Sequence, residues 1–137
     1  MKIAVSIYFW GEKLDPAAVT AALNVRPTQA HAKNETRASS TDKQVTAKIG
    51  MWGYSTDSEI DSAELGEHIL FLQSKFSDSL NKITELKNIQ DSCIDIFVAT
   101  ELNKDGADYE FELTPNNIVA LSNFGLPVRF TIARVED

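Results

Sequence analysis

The longest periodic pattern in the chain lies between Ile60 and Gln90. Its apolar residues recur at spacings of three and four, and polar residues fill the positions between them. These apolar residues are Leu65, Ile69, Leu72, Phe76, Leu80, Ile83 and Leu86. Such spacing is typical of an amphipathic helix. Because Ser77, Asp78 and Ser79 interrupt the pattern and can cap a new segment, it predicts two helices in succession.

Segments on both sides of this centre alternate with a period of two, which is typical of half-buried strands. The alternation predicts strands at 3–10, 28–32, 45–54, 93–101, 108–113 and 128–133. Two further helices begin at Asp15-Pro16 and Thr114-Pro115, because Asp and Thr cap helices and proline fits the first turn. The predicted order is β-α-β-β-α-β-β-α-β. We therefore expect an α+β fold: a mixed, largely antiparallel sheet of about six strands with helices packed on one face.

The length and composition indicate a single globular domain. A chain of 137 residues can bury a sizeable core without disulfides, so we assign 1–137 to one domain. Hydrophobic residues make up 43% and charged residues 24%, which favours neither disorder nor membrane insertion. The polar segment Lys33–Gln44 has no aliphatic residue larger than alanine and predicts a mobile polar loop within the domain.

The net charge of −7 is unevenly distributed. Residues 91–137 hold nine acidic and three basic residues, and thus carry −6 of that charge. Binding to nucleic acid needs clustered Lys and Arg, so this distribution disfavours nucleic acid and favours a basic partner. The single cysteine, Cys93, begins an apolar strand, where a reduced thiol is the usual occupant, and we expect a cytoplasmic location.

The residue types that carry catalysis are sparse. His31, His68 and Cys93 have no sequence cue to an activating partner, so we predict no catalytic residue and no cofactor. Positions 101–112 partly match a calcium-binding loop, with an Asp at the third ligand position and a Glu at the last. However, the first ligand position is Glu and the flanks alternate as strands rather than helices, so we predict no metal site.

The strands at 93–101 and 108–113 can be registered as a hairpin. If Ile96 and Phe111 share a face, cross-strand partners have residue numbers that sum to 209, and 103–106 forms the turn. Glu110 then lies opposite Ala99, and Glu112 lies opposite Phe97. The acidic side chains would share the face of the sheet that the helices leave open.

Alternation brings further aromatic side chains to that same face. It predicts an aromatic and acidic surface, which resembles a binding surface because rings are rimmed by carboxylates. The candidate partner-binding residues are Tyr8, Trp10, Trp52, Tyr54, Phe97, Glu101, Asp108, Glu110 and Glu112. An ordinary solvated face, with the two tryptophans closing the ends of the sheet beneath loops, is the alternative.

Several of these segments resemble the bacterial domain-of-unknown-function 4279 family. They are Leu14-Asp15-Pro16 through Arg26-Pro27-Thr28, the strand that holds Trp52, the helix from Leu65 to Leu86, and Glu112-Leu113-Thr114-Pro115 through Phe124-Gly125-Leu126-Pro127-Val128. The likeness covers almost the whole chain and rests on fold-forming residues. The family has no assigned catalytic residues to carry over to this chain. Because some members look like immunity proteins of toxin systems, the likeness implies an immunity-like role.

These observations lead to one expectation and two alternatives. We expect a non-enzymatic protein-binding domain that holds a basic protein partner on the aromatic and acidic face, without contact to nucleic acid or membrane. The first alternative is a structural homodimer that uses the same face. The second is a small-molecule enzyme, which would need a deep pocket where Cys93 or His68 meets a carboxylate.

Overall fold

A computed structural model of the chain describes residues 1–38, 44–101 and 109–135, and in this part of the chain strands and helices build an α+β fold. The strands are β1 (Lys2–Gly11), β2 (Gln29–His31), β3 (Thr36–Ala38), β4 (Gln44–Thr46), β5 (Gly50–Ser55), β6 (Asp91–Glu101) and β7 (Val128–Val135). The helices are α1 (Pro16–Leu23), α2 (Leu65–Phe76), α3 (Leu80–Ile83) and α4 (Pro115–Ser122), with a 3-10 turn at Thr56–Ser58.

The main sheet is open and mixed. Within the described residues its strand order is β2-β5-β1-β6-β7, and every neighbouring pair is antiparallel except the parallel pair β6-β7. The buried apolar cluster joins one face of this sheet to the helices, and it includes Phe9 of β1, Ile69 of α2 and Leu121 of α4. The predicted fold class, a largely antiparallel sheet with helices on one face, is confirmed.

The starts of α1 and α4 follow the capping residues in the sequence. The Asp15 carboxylate accepts a hydrogen bond from the Ala17 N–H at 3.1 Å, and Asn24 ends α1 in the left-handed region at φ 53°. Thr114 and Asn117 form a reciprocal capping box at the start of α4, with both hydrogen bonds at 3.1 Å. The central pattern forms two helices, α2 and α3, as its spacing predicts.

The segment between β2 and β5 differs from its prediction. A two-stranded ribbon of β3 and β4 forms where the polar loop 33–44 and the start of a strand at 45–54 were expected. Because Ala47, Lys48 and Ile49 lie between β4 and β5 and belong to neither, the alternation does not run unbroken from Val45 to Tyr54. The residues of this segment that follow Ala38 and precede Gln44 lie outside the described part.

The predicted fifth strand is wrong, and so is its pairing with β6. Residues 109–113 form no strand in the structure, because β1 and β7 already occupy the two sides of β6. Phe111 and Leu113 instead pack against the apolar cluster, whereas Glu110 and Glu112 are exposed. The alternation in this segment therefore reflects one side turned to the core and one turned to solvent, and it does not require a hydrogen-bonded neighbouring strand. The predicted turn at 103–106 lies outside the described residues.

Aromatic rings occupy the centre of the core. Phe76, the last residue of α2, meets the rings of Trp52, Tyr54 and Phe124 edge-on at centroid distances of 6.3, 5.7 and 6.0 Å. Edge-to-face pairs at such separations add about 0.5–1.5 kcal/mol each beyond the area they bury. The ring of Phe76 thus ties the helical layer to the sheet.

A buried polar network joins the 3-10 turn to α2 and β1. The Thr56 hydroxyl oxygen accepts the Val5 N–H at 3.0 Å and lies 2.6 Å from Nδ1 of His68. Nε2 of His68 lies 2.8 Å from the Ser62 carbonyl oxygen, which can only accept, so Nε2 carries the proton and Nδ1 accepts from the Thr56 hydroxyl. All these polar groups are satisfied, and His68, with 0% of its surface exposed, has a structural role.

We expect Thr56→Val to lower the free energy of unfolding by about 2 kcal/mol, because it leaves the Val5 N–H and His68 Nδ1 buried without partners. Urea unfolding followed by circular dichroism measures the change. Thr46→Val is the matched control, since Thr46 is exposed in β4 and its replacement should change the free energy by less than about 0.5 kcal/mol. Equal effects of the two variants would contradict this role for Thr56.

Candidate functional site

The helix-free side of the main sheet, here called the open face, carries a compact group of aromatic and charged side chains. Even-numbered residues of β1 point to this side, together with their cross-strand partners in β5 and β6. Parallel pairing extends the face onto β7, where Arg129 lies beside Asp95 and Thr131 beside Phe97. The residues that define its centre are Tyr8, Trp10, Asp91, Cys93, Asp95, Phe97, Arg129 and Thr131.

Tyr8 and Trp10 form a stacked pair along β1. Their ring centroids are 5.4 Å apart at an interplanar angle of 27°, and both side chains are partly exposed. Gly53 lies directly opposite Tyr8 in β5, and a Cβ atom there would approach the Tyr8 ring to 2.6 Å. The ring of Tyr8 therefore rests on the bare backbone of Gly53, which fixes the stack against the sheet.

Arg129 holds the other side of this ring pair. Its guanidinium carbon lies 5.9 Å from the centroid of the Trp10 ring, within the range of a cation–π contact. The same guanidinium donates to both carboxylate oxygens of Asp91, at 3.0 and 3.1 Å. Arg129 thus links β7, β6 and β1 across the open face and holds the rings in place.

Cys93 lies beneath these groups, directly opposite Tyr8. The side chain is buried, and burial raises the pKa of its thiol, although the nearby Arg129 charge acts in the opposite direction. A thiol with a raised pKa stays protonated at neutral pH and is a poor nucleophile. Cys93 therefore lacks the lowered pKa that activates a nucleophilic thiol.

The structure brings together only some of the candidate residues. Tyr8, Trp10 and Phe97 lie on the open face. Glu110 and Glu112 are exposed in a segment that is not part of the sheet, so the predicted row of carboxylates opposite β6 is not formed by them. Asp108 and the side chain of Glu101 lie outside the described residues.

The prediction that Trp52 and Tyr54 lie on the open face is wrong. Cross-strand pairing places Trp52 opposite Phe9 and Tyr54 opposite Ile7, on the side that the helices cover, and Trp52 is 0% exposed. The indole N–H of Trp52 donates to the Thr20 hydroxyl of α1 at 3.0 Å. These rings belong to the core because the alternating positions of β5, Met51 and Gly53, would leave the space beneath the helices unfilled.

The Tyr54 side chain is buried, and its hydroxyl donates to the carboxylate of the exposed Glu59. Lys75 of α2 holds that carboxylate at 2.9 and 3.0 Å and lies 5.5 Å from the centroid of the Tyr54 ring. The hydrogen bond from Tyr54 is the largest of the effects that lower the pKa of Glu59. This group closes the rim of the core, on the opposite side of the sheet from Tyr8 and Trp10.

Several residues of the candidate site are absent from the sequence-based set, among them Gly53, Asp91 and Arg129. A glycine inside a strand signals a close approach of another group, so Gly53 was open to prediction. The pairing of Asp91 with Arg129 was not, because it depends on β7 lying parallel to β6. Such a neighbour cannot be read from local alternation.

One cleft of the described part of the molecule lies away from Cys93 and His68. A cleft of about 330 Å³ is lined by residues of α1 and of the segment 85–88, and neither Cys93 nor His68 contributes to it. Among the described residues no three His, Cys, Asp or Glu side chains are grouped to hold a metal ion. The residues of the calcium-loop pattern fall mostly outside that described part.

Comparison with known proteins gives one positive finding. A family model with the description "Domain of unknown function (DUF4279)" matches residues 1–134 of the chain, which confirms the resemblance inferred from the sequence. Neither curated proteins nor solved structures gave a match. Of the helices in the described part of the chain, none combines the length and the apolar character needed to cross a membrane.

We expect Gly53→Ala to displace the Tyr8 ring and to cost about 1 kcal/mol, because the new methyl group overlaps that ring. Urea unfolding and the near-ultraviolet circular dichroism of the ring pair measure the effect. In a Tyr8→Ala background the cost should disappear. Gly66→Ala is the control, since a Cβ there would have its nearest contact at 3.5 Å, an ordinary distance. If Gly53→Ala still lowers the free energy of unfolding when the Tyr8 ring is absent, the contact between this ring and the Gly53 backbone is not the cause.

Stability should fall at alkaline pH because of Tyr54. Burial, and then the hydrogen bond and charge of Glu59, raise the pKa of Tyr54 above its usual value of about 10. Below about pH 10 the Tyr54 phenol keeps its proton in both the folded and the unfolded chain. Above about pH 10 the unfolded chain loses this proton first. The free energy of unfolding therefore declines as pH rises toward the pKa of Tyr54 in the folded state. Urea unfolding of the wild type between about pH 8 and 11 should show a steeper decline than Tyr54→Phe. Identical slopes would contradict the raised pKa.

Proposed function

This chain belongs to the DUF4279 family, and we propose that it is a non-enzymatic binding domain that holds a protein partner on its open face. The observation that carries this proposal is the stacked, partly exposed pair of Tyr8 and Trp10 on the side of the sheet without helices. Aromatic side chains in such positions supply much of the binding energy in protein interfaces.

Contacts within the domain support the ring pair before any partner arrives. Gly53 supports Tyr8 from below, and Arg129 contacts Trp10 while Asp91 fixes the guanidinium. A side chain that is already ordered loses little conformational entropy on binding. Phe97, partly buried in β6, lies two rows along the sheet from Tyr8, with Asp95 in the row between them.

We propose that the partner has a basic surface. The chain has a net charge of −7, which attracts a cationic protein at long range. On the open face itself the described carboxylates already have partners: Asp91 binds Arg129, and Asp95 accepts from the Thr131 hydroxyl at 2.7 Å. Charge therefore steers the encounter, and the rings provide the contact.

The surroundings of the reactive residues support binding rather than catalysis. The Cys93 thiol has a raised pKa, and both ring nitrogens of His68 are engaged inside the core. We place the protein in the cytoplasm, in keeping with its single, buried thiol. The immunity-like role implied by the family resemblance would make the partner a toxin domain.

The proposal can be tested with the purified protein encoded beside the gene for this chain. We expect Tyr8→Ala combined with Trp10→Ala to weaken binding at least about 30-fold, since loss of an interface hot spot costs 2 kcal/mol or more. Isothermal titration calorimetry measures the affinity. The control is Ile118→Ala combined with Val119→Ala, which removes two exposed apolar side chains from α4 and should leave the affinity nearly unchanged.

Unaltered affinity in the Tyr8 and Trp10 variant, with the fold intact by circular dichroism, would contradict the proposal. If the neighbouring protein does not bind and the chain is a dimer that Trp10→Arg dissociates, the open face serves as a structural homodimer interface instead. Light scattering of the wild type and of Trp10→Arg separates these outcomes.

A further inference from the structure

The strand β7 lies at one edge of the main sheet. In the described part of the chain its one neighbour is β6. The Ile94 N–H donates to the Pro127 carbonyl at 2.8 Å, and Ile94 is the partner of Val128 in the parallel register. In a parallel ladder, odd-numbered residues of β7 therefore face β6, and the N–H and C=O groups of residues 128, 130, 132 and 134 point away from the sheet.

The side chains of this edge are unusually apolar for their exposure. Phe130 and Ile132 lie beside Ile96 and Val98 of β6, which are buried, yet Phe130 is 58% and Ile132 67% exposed. Edge strands are normally protected by charge, proline or a bulge. From 128 to 135 the charged residues are Arg129, which Asp91 engages, and Arg134 near the end of the strand. Among the described residues no further strand pairs with this edge, which therefore presents backbone hydrogen-bonding groups together with exposed apolar side chains.

We propose that a second copy of this chain pairs with β7, so that the two main sheets join antiparallel through a two-fold axis at Thr131. A two-fold axis makes identical edge strands antiparallel, as this pairing requires. With the axis at Thr131, Phe130 of one copy lies opposite Ile132 of the other, and the outward-pointing backbone groups of both strands meet. Each exposed apolar side chain on this edge then has an apolar neighbour across the interface.

The charged residues of β7 fit this register better than they fit the registers with the axis one residue earlier or later. Arg129 faces Ala133 and Arg134 faces Val128, so no two like charges are directly opposed. Moving the axis to Ile132 places Phe130 opposite Arg134. Moving it to Phe130 restricts the ladder to residues 128–132, since β7 begins at Val128. A shift by one residue would turn each apolar side chain toward the opposite face of the other copy.

An edge strand can also accept an extended peptide from an unrelated protein. The self-complementary order of Phe130, Thr131 and Ile132 is the reason to prefer a second copy, because the same short strand supplies both halves of the apolar contact. The joined surface is the edge of the sheet and not the open face, so dimerisation does not depend on the Tyr8 and Trp10 pair.

Sedimentation velocity of the full chain over a range of concentrations tests the proposal. We expect a dimer in the wild type and a dissociation constant at least about 30-fold higher for Ile132→Lys, which places a charge opposite Phe130. Val119→Lys is the matched control, because Val119 is 58% exposed on α4 and its replacement adds the same charge outside the edge. That control should remain dimeric.

Cysteine cross-linking tests the register. Thr131→Cys should form a disulfide-linked dimer under mild oxidation, because residue 131 faces itself across the two-fold axis, whereas Ala133→Cys should not. The wild type, whose only cysteine is the buried Cys93, is the control. A monomeric wild type would overturn the proposal, and so would equal cross-linking at residues 131 and 133. It would also be overturned by a dimer that Ile132→Lys does not dissociate, or by one that Val119→Lys dissociates as well. If the wild type is a monomer and Ile132→Lys abolishes its binding to a partner protein, the occupant of the edge is a peptide of that partner.

Discussion

The pairing of Phe9 with Trp52 across β1 and β5 determines which residues of these two strands share the core side of the sheet. Their ring centroids are 5.9 Å apart, and the same register places Ile7 opposite Tyr54. Because side chains alternate along a strand, this one pairing sends Met51 and Gly53 to the open face. A register shifted by one residue would put a glycine beneath the helices and expose two large rings to water.

The two tryptophans consequently have opposite roles. Trp52 fills the core beneath α1 and α2, and its indole N–H is satisfied by Thr20, so its burial contributes apolar contact without an unpaired donor. Trp10 lies on the other side of the same sheet, where stacking on Tyr8 and contact with Arg129 hold it partly exposed. Gly53 connects the two roles, since the pairing that buries Trp52 also places a bare backbone beneath Tyr8.

The position of β6 between β1 and β7 explains the remaining arrangement. It pairs antiparallel with β1 and parallel with β7, and the chain reaches β7 only after α4 has covered part of the core. This parallel connection places Arg129 within reach of Asp91 on the open face and leaves the outer edge of β7 with Phe130 and Ile132 exposed. The proposed partner surface and the proposed dimer edge thus both depend on the parallel pairing of β7 with β6.

The sequence by itself determined the elements whose information is local. Capping residues such as Asp15 and Thr114 set helix starts, spacing set the apolar stripe of α2, and the family likeness and fold class followed from these signals. Only the tertiary structure decided which strands are neighbours. Alternation in 109–113 shows that Phe111 is inward and Glu110 outward, but it contains no information about a hydrogen-bonded partner. For the same reason Trp52 and Tyr54 could not be assigned to a face: a period of two defines two sides, and only packing against the helices decides which side is buried.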